Sequence, residues 1–410
     1  MKNRIKYPLS LYVVWHPDFN EGKVIANNLY SIFCRDVEEP LSRGLGIPVY
    51  YRSASNDGIP IPIDPSKATR NAIVLLIDQN YFIDENFREY TKALVKLISK
   101  SIRIFPVQLC EQATEFRQGL NSIQFIRAYQ GGLTTKEFKK SFGKSNFNLS
   151  NVKDFNLSMN KIRTELMHDC ARLIMSFQPT WEDEEKDRKN SPVKLFLSHA
   201  KKDGLKTAKR FKEFVDAELK LDVFFDTIDI ADGYEFEKQI EDNIKESAFV
   251  VFHTDEYSER EWCRIEVLIA KRNKCPIVVV HDIKSGEKRA FPYLGNAPTI
   301  TIQKNKNESF FRIVNLTLYQ VLNNLYQREL LESFHKNFHI DDTAFVTITS
   351  PPELFNYIDI YKKKEVSKQS LVILYPEPPL GAEELKVLNE IDKKIKFITP
   401  ILLPTLIQTK

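Results

Sequence analysis

The stretch SAFVVFHTDEYSEREWCRIEVLIAK, residues 247–271, joins a short apolar run directly to an amphipathic pattern. The run AFVVFH has the β-branched and aromatic composition of a strand that is buried on both faces, as in parallel sheets. In the pattern that follows, Trp262 and Glu266 are four residues apart, so a helix places them one above the other on one face. The stretch therefore predicts a strand that leads into a helix, with an indole and a carboxylate at the mouth of a sheet.

The same alternation of strand-like and helical segments recurs along the chain. Around the opening stretch the strand-like runs are VKLFLSHA, LDVFFD and CPIVVVHD, and the first part of the chain has LSLYVVWH, NAIVLLID and IRIFPVQL. A shorter version of the same rhythm follows near the C-terminus, with TAFVTIT, SLVILYP and IKFITPILL. This alternation predicts α/β structure, with parallel sheets covered by helices.

Length and composition favour an ordinary globular protein with two or three domains. The chain has 410 residues, of which 42% are hydrophobic and 28% charged. A net charge of +4 gives no concentrated basic face for nucleic acid. The sequence has neither an apolar run of bilayer length nor a secretory signal. None of its five cysteines falls in a CxxC pair, so we expect a cytoplasmic protein without a disulfide framework or a zinc site.

A charged stretch bracketed by prolines, QPTWEDEEKDRKNSP, predicts a linker near the middle of the chain. On this basis we expect four segments. A first α/β domain occupies residues 1–178 and a charged linker occupies 179–191. A second α/β domain occupies 192–305, and a helix with a small α/β module occupies 306–410.

Polar and aromatic residues follow the predicted strands of the middle segment, where ligands collect in open parallel sheets. A carboxylate beneath an indole suits a substrate with a flat ring and a developing positive charge. Glu266 could stabilise an oxocarbenium-like centre electrostatically, and Trp262 could stack on a ring. His199 and His253 suit packing roles better than acid–base roles, and no cluster has metal-ligand spacing. The candidate site residues are Ser198, His199, Phe225, Asp229, Ser258, Trp262, Cys263 and Glu266.

Residues 193–303 resemble a Toll/interleukin-1 receptor (TIR) domain. LFLSHAKKD matches the family's first strand and turn, and FFDTIDIADGYEF matches the second strand and its long loop, the BB loop. The opening stretch matches the fourth strand and its helix, and CPIVVV matches the last strand. The resemblance implies a flavodoxin-like or Rossmann-like fold, with TIR-like modules on either side.

Many bacterial members of this family cleave NAD+ at the nicotinamide–ribose bond with a glutamate on this helix, which the motif match places at Glu266. The match places Trp262 at the aromatic position one turn earlier and puts Ser198, Phe225 and Cys263 along the pocket. The resemblance implies that NAD+ is a substrate, that no cofactor is required and that TIR domains self-associate. It also implies a role in anti-phage defence, possible partner proteins, and either ADP-ribose or a cyclic ADP-ribose-type product.

Two other interpretations stay open at this point. Many TIR domains are non-enzymatic scaffolds that recruit an effector through TIR–TIR contacts, and in such a domain Ser258 and Trp262 would simply pack the helix on the sheet. A nucleotide sensor could use Glu266 and Trp262 to hold a ligand without cleaving it. Neither interpretation needs a nucleic-acid or membrane partner.

An offset of 176 positions aligns AIVLLIDQNYFIDENFREYTKALV in the first segment with the stretch around the candidate site. Tyr81 then meets Tyr257, while Asn86 stands at the position of Trp262 and Tyr90 at that of Glu266. The first segment is thus predicted to be a degenerate TIR-like domain with a proline-rich loop in place of the BB loop. A sensing, docking or assembly role fits it better than a second active site.

Overall fold

The structure is a computed structural model. It describes residues 6–36, 44–54, 58–128, 152–176, 192–219, 221–225, 236–245, 247–303, 306–338, 345–367 and 371–408. In these ranges the chain is α/β, and the described residues form three sheets whose paired strands run parallel. The predicted fold class is therefore confirmed.

The first sheet has five strands in the order β2-β1-β3-β4-β5. This is the flavodoxin-like order, in which the chain switches direction beside the first strand. The strands are β1 (Tyr7–Trp15), β2 (Val49–Arg52), β3 (Ala68–Ile77), β4 (Ile102–Gln108) and β5 (Ile126–Arg127). The helices in this part of the chain are α1 (Asn20–Phe33), α2 (Gln79–Ile83), α3 (Glu85–Val95) and α4 (Val152–Met175).

The second sheet also has five strands, in the order β10-β9-β8-β6-β7. From the opposite edge this is second, first, third, fourth and fifth, the same order as in the first sheet. The strands are β6 (Lys194–His199), β7 (Asp222–Phe225), β8 (Ala248–His253), β9 (Ile277–His281) and β10 (Thr299–Thr301). The helices between them are α5 (Leu205–Glu218), α6 (Phe236–Lys245) and α7 (Glu261–Arg272).

A long helix and a third, smaller sheet complete the described chain. The sheet has three strands in the order β11-β12-β13. The elements are α8 (Lys306–Asn337), β11 (Phe345–Thr347), α9 (Leu354–Ser367), β12 (Leu371–Leu374), α10 (Ala382–Ile391), β13 (Ile395–Ile398) and α11 (Leu403–Gln408). None of the helices in the described ranges combines the length and apolarity that crossing a bilayer requires.

Contacts divide the chain into two compact units that do not follow chain order. One unit groups the described residues of 1–125 and 323–410, and the other groups those of 126–128 and 149–322. The boundary between the units falls within α8. The division into four segments that we expect from the sequence remains a prediction.

The core of the second sheet is built around three stacked phenylalanine rings from adjacent strands. Phe196 stacks on Phe224 at 5.2 Å and on Phe249 at 5.3 Å between ring centroids. All three side chains are buried, and residues of α7 pack against the same cluster, among them Cys263 and Val267. This packing fixes α7 against the sheet, since close-packed interiors leave little freedom for a helix to shift.

Both ends of α7 carry sequence signals that set its length. Glu261 in the first turn and two basic residues in the last turn complement the helix dipole. Beyond the helix, Lys274 adopts a left-handed φ of 57°. The N–H of Cys275 then donates to the carbonyl of Ala270, at 3.0 Å, which is the bond of a Schellman motif. The chain therefore turns sharply back into β9, and α7 remains anchored at its C-terminal end.

Candidate active site

The candidate site lies at the carboxyl ends of β6 and β8, which are neighbours in the second sheet. β6 ends with Ser198 and His199, whose Cα partners on β8 are Val251 and Phe252. The loop after β8 leads directly into α7. Side chains that are far apart in the sequence therefore meet at one edge of the sheet, as expected for open parallel sheets.

Glu266 is the buried carboxylate of this site, with only 5% of its surface exposed. The hydroxyl of Ser198 donates to Oε2 of Glu266 at 2.5 Å. The same Ser198 hydroxyl lies 2.6 Å from the phenolic oxygen of Tyr257, which is fully buried. Burial raises the pKa of Tyr257 well above its ordinary value, and the nearby Cys263 and Glu266 raise it further. The phenol therefore stays protonated at neutral pH.

A cleft of about 650 Å³ opens above this carboxylate. Trp262 is 42% exposed, so its indole is accessible in the cleft while Glu266 lies deeper. An apolar ring next to a carboxylate gives the cleft one surface for stacking and one for stabilising positive charge. Its lining residues are His199, Lys201, Lys202, Glu259, Arg260, Glu261, Trp262, Cys263 and Glu266.

The mouth of the cleft is held by charges on the two loops that follow β6 and β8. Glu256 bonds to Lys202 and, at 3.3 Å, to Arg260. The hydrogen bond from Lys202 is the main reason that the pKa of Glu256 is lowered. Asp203 accepts from the hydroxyl of Thr254, at 2.7 Å, and from the N–H of Glu256, at 3.1 Å. These contacts fasten the two loops to each other and order the rim.

His199 lines the cleft and contacts two other predicted residues, Phe225 and Cys263. The rings of His199 and Phe225 stack face to face, 4.8 Å apart and within 3° of parallel. The thiol of Cys263 points at the carbonyl of His199, at 3.6 Å. The structure thus brings together six of the eight predicted residues, namely Ser198, His199, Phe225, Trp262, Cys263 and Glu266.

The structure places Ser258 in a different group. Its hydroxyl donates to Glu287 at 2.5 Å, and the same carboxylate lies 2.6 Å from Nε2 of His253. Nδ1 of His253 lies 3.1 Å from Nδ1 of His281. Burial and the neighbouring His253 lower the pKa of His281, while Glu287 opposes the shift. Asp229, the remaining predicted residue, lies outside the described residues.

Three features of the site were not singled out from the sequence. They are the hydroxyl of Tyr257, the paired charges at the rim, and the contact of Ser258 with Glu287. Only Tyr257 could have been found from the sequence, because the offset of 176 positions aligns it with another tyrosine, Tyr81. Within the described ranges, no group of three or more His, Cys, Asp or Glu side chains is arranged to hold a metal ion.

Comparison with known proteins identifies the part of the chain that holds this cleft. The sequence profile of the TIR domain family matches residues 195–314. No curated protein matches the chain. Among solved structures, the chain is similar to a Salmonella typhimurium LT2 protein that has been described as sugar-binding, with 12% identity, 59% of this chain and 86% of that chain covered, and a TM-score of 0.18. A score this low supports no argument about fold or ligand. The matched range includes every described residue that lines the cleft, and the chain therefore contains a TIR domain at residues 195–314.

Proposed function

We propose that the TIR domain is an NAD+ glycohydrolase, which cleaves the bond between nicotinamide and ribose in the cleft beside Glu266. One observation carries most of the proposal. A carboxylate that is only 5% exposed lies in a cleft of about 650 Å³, one turn of helix from an indole that is 42% exposed. The cleft falls within the range of about 300–1,000 Å³ that is usual for small-molecule sites.

The carboxylate suits the charge that develops in this reaction. When the glycosidic bond breaks, its electron pair leaves with the nicotinamide nitrogen, and C1′ of the ribose becomes oxocarbenium-like. A negative charge in a poorly solvated site stabilises such a centre more strongly than it would in water. Ser198 donates to Oε2 of Glu266, which orients the carboxylate before the substrate arrives.

Trp262 would hold a flat ring of the dinucleotide. Its indole lines the cleft and leaves much of its surface open. Stacking on nicotinamide or adenine would orient the glycosidic bond relative to Glu266, and orientation of this kind contributes substantially to catalysis.

Two products follow from the same oxocarbenium-like centre. Addition of water to C1′ gives ADP-ribose, with the proton of the water passing to solvent. Attack by a nitrogen of the adenine ring gives a cyclic ADP-ribose-type molecule instead. The mass of the second product distinguishes the two outcomes.

We further propose that the activity depends on self-association in the cytoplasm and serves anti-phage defence. The support is the match of residues 195–314 to the TIR domain family. An assembly requirement means that dilute protein would be less active than concentrated protein.

The test is nicotinamide release from NAD+ by concentrated wild-type protein, with and without a crowding agent, read by chromatography and mass spectrometry. Glu266→Gln removes the charge with little change in volume and should lower the rate by about 100-fold or more. Glu213→Gln on α5 is the matched control, because Glu213 is exposed and lies outside the cleft. No release in any assembled form would favour the non-enzymatic scaffold. Equal rates for wild type and Glu266→Gln would reject Glu266 as the catalytic residue.

A further inference from the structure

The carboxylate of Glu266 is one end of a chain of three buried side chains. Ser198 lies 2.5 Å from Glu266 and 2.6 Å from Tyr257, measured between oxygens. Tyr257 is fully buried and Ser198 is 1% exposed. The chain thus runs from the protein interior to the carboxylate.

The direction of each hydrogen bond follows from the chemistry of the groups. An ionised carboxylate only accepts, so the single hydrogen of the Ser198 hydroxyl is committed to Glu266. The contact between Tyr257 and Ser198 then requires the phenol to be the donor. A longer contact of 3.4 Å joins the same phenol to the carbonyl of Cys263. Tyr257 therefore donates to Ser198, and Ser198 donates to Glu266.

The first sheet shows that a tyrosine at this position does not require such a chain. Tyr81, the counterpart of Tyr257 under the offset of 176 positions, is also fully buried. Its phenol bonds at 2.8 Å to Thr91, which donates in turn to the carbonyl of Phe87. The counterpart of Ser198 in strand register is Val14, which has no hydroxyl. The ring packs in both places, but only Tyr257 connects to a carboxylate.

We propose that Tyr257 is a positioning residue that acts on Glu266 through Ser198. The inference rests on the proposed function, in which Glu266 is the catalytic residue. By donating to Ser198, the phenol fixes the direction in which the serine hydroxyl points its hydrogen. It also strengthens the bond from Ser198 to the carboxylate, because hydrogen bonds in a chain polarise one another. Glu266 is then held in one orientation, and the hydrogen bond to it favours its charged form.

The first test is kinetic and uses a double-mutant cycle. Tyr257→Phe keeps the ring and removes the hydroxyl, so kcat for nicotinamide release should fall about tenfold while KM changes little. The same substitution in a Ser198→Ala background should have no further effect, because Tyr257 acts through that serine. Tyr81→Phe is the matched control and should leave kcat unchanged. An additive double mutant, or equal rates for Tyr257→Phe and Tyr81→Phe, would overturn the proposal.

The second test does not depend on turnover. Glutamate labelled with ¹³C at the δ-carboxyl gives a signal for Glu266 that is identified by its loss in Glu266→Gln. Loss of the phenol weakens the bond that favours the charged form, so the titration midpoint of Glu266 should rise by about 0.5 pH unit or more in Tyr257→Phe. An unchanged midpoint would contradict the positioning role. If the wild type releases no nicotinamide, the proposed function fails, and this titration still decides whether Tyr257 positions the carboxylate.

Discussion

The first and second sheets of this protein have the same strand order but different chemistry at their carboxyl ends. Their buried cores correspond in register, with aromatic residues at two of the three strands and an isoleucine in place of the third ring. Phe196 pairs with Phe224 and Phe249 in the second sheet, and Tyr12 pairs with Tyr50 and Ile73 at the matching register in the first. The packing that determines the fold is thus similar in kind.

The two residues that carry the proposed chemistry have no like counterpart in the first sheet. Asn86 replaces the indole of Trp262, and Tyr90 replaces the carboxylate of Glu266. The phenol of Tyr90 donates to the carbonyl of Ile61 at 2.8 Å, within the proline-rich loop. At the position that corresponds to the carboxylate of Glu266, the first part of the chain therefore has a contact between α3 and the proline-rich loop.

The difference shows that the fold and the chemistry depend on separate sets of residues. Buried apolar strands are enough to define a parallel five-stranded sheet. A site for charge stabilisation needs a few polar side chains at its edge, and these can be exchanged while the sheet is retained. The proposal of a degenerate TIR-like first domain is consistent with this, and the following predictions are designed to challenge it.

The largest expected effect concerns the core of the second sheet. Phe196 lies in the middle of the ring stack and is fully buried. Phe196→Ala should lower the free energy of unfolding by about 3–5 kcal/mol, because it removes apolar contacts and leaves a cavity. Urea unfolding followed by circular dichroism measures the change. Tyr12→Phe in the first sheet keeps the ring, removes the hydrogen bond to the carbonyl of Asp64 and should cost about 1 kcal/mol. Equal losses of unfolding free energy in the two variants would contradict the central role of Phe196 in the core of the second sheet.

The next effect is on substrate binding. Trp262→Ala should lower kcat/KM for nicotinamide release about tenfold or more, since stacking contributes roughly 1 kcal/mol beyond the area that it buries. The free energy of unfolding of this variant should change little, because the indole is partly exposed. Asn86→Ala at the corresponding position of the first sheet should leave kcat/KM at the wild-type value. A matching loss in Asn86→Ala would give the first sheet a part in the reaction.

A smaller effect is expected at Tyr90. Tyr90→Phe removes the bond to Ile61 and should lower the free energy of unfolding by less than about 1 kcal/mol, since the contact is near the surface. Thermal unfolding measures this change. Nicotinamide release should be unaffected, and a change in its rate would show that the proline-rich loop influences the TIR domain.

The smallest effect is a pH dependence of stability at the edge of the second sheet. The folded-state pKa of His281 lies below its ordinary value of 6.5, mainly through burial and then through His253. The unfolded chain therefore binds this proton more readily than the folded chain, and stability should fall as the pH drops below about 6.5. Glu287 faces the same group and opposes the shift. Unfolding in urea on either side of this pH, compared with His281→Gln, isolates the contribution. An identical pH dependence in the variant would show that other groups are responsible.

Much of the fold could be predicted because fully buried parallel strands are continuous apolar runs that are visible in one sequence. The pairing of Trp262 with Glu266 followed in the same way from helical spacing. The partners of Ser258 could not be predicted, since Glu287 is distant in the sequence and meets Ser258 only after β9 has paired with β8. The offset pointed to Tyr257 as an aromatic residue, but its proposed role depends on the hydroxyl of Ser198, which lies on β6 and is distant in the sequence.

The most direct test of the account compares nicotinamide release from NAD+ by the concentrated wild-type protein, Glu266→Gln, Tyr90→Glu and the double variant. The account predicts release by the wild type and Tyr90→Glu at similar rates, and only background release by Glu266→Gln and by the double variant. Release by Glu266→Gln at the wild-type rate would contradict the central claim, and so would rescue of Glu266→Gln by Tyr90→Glu.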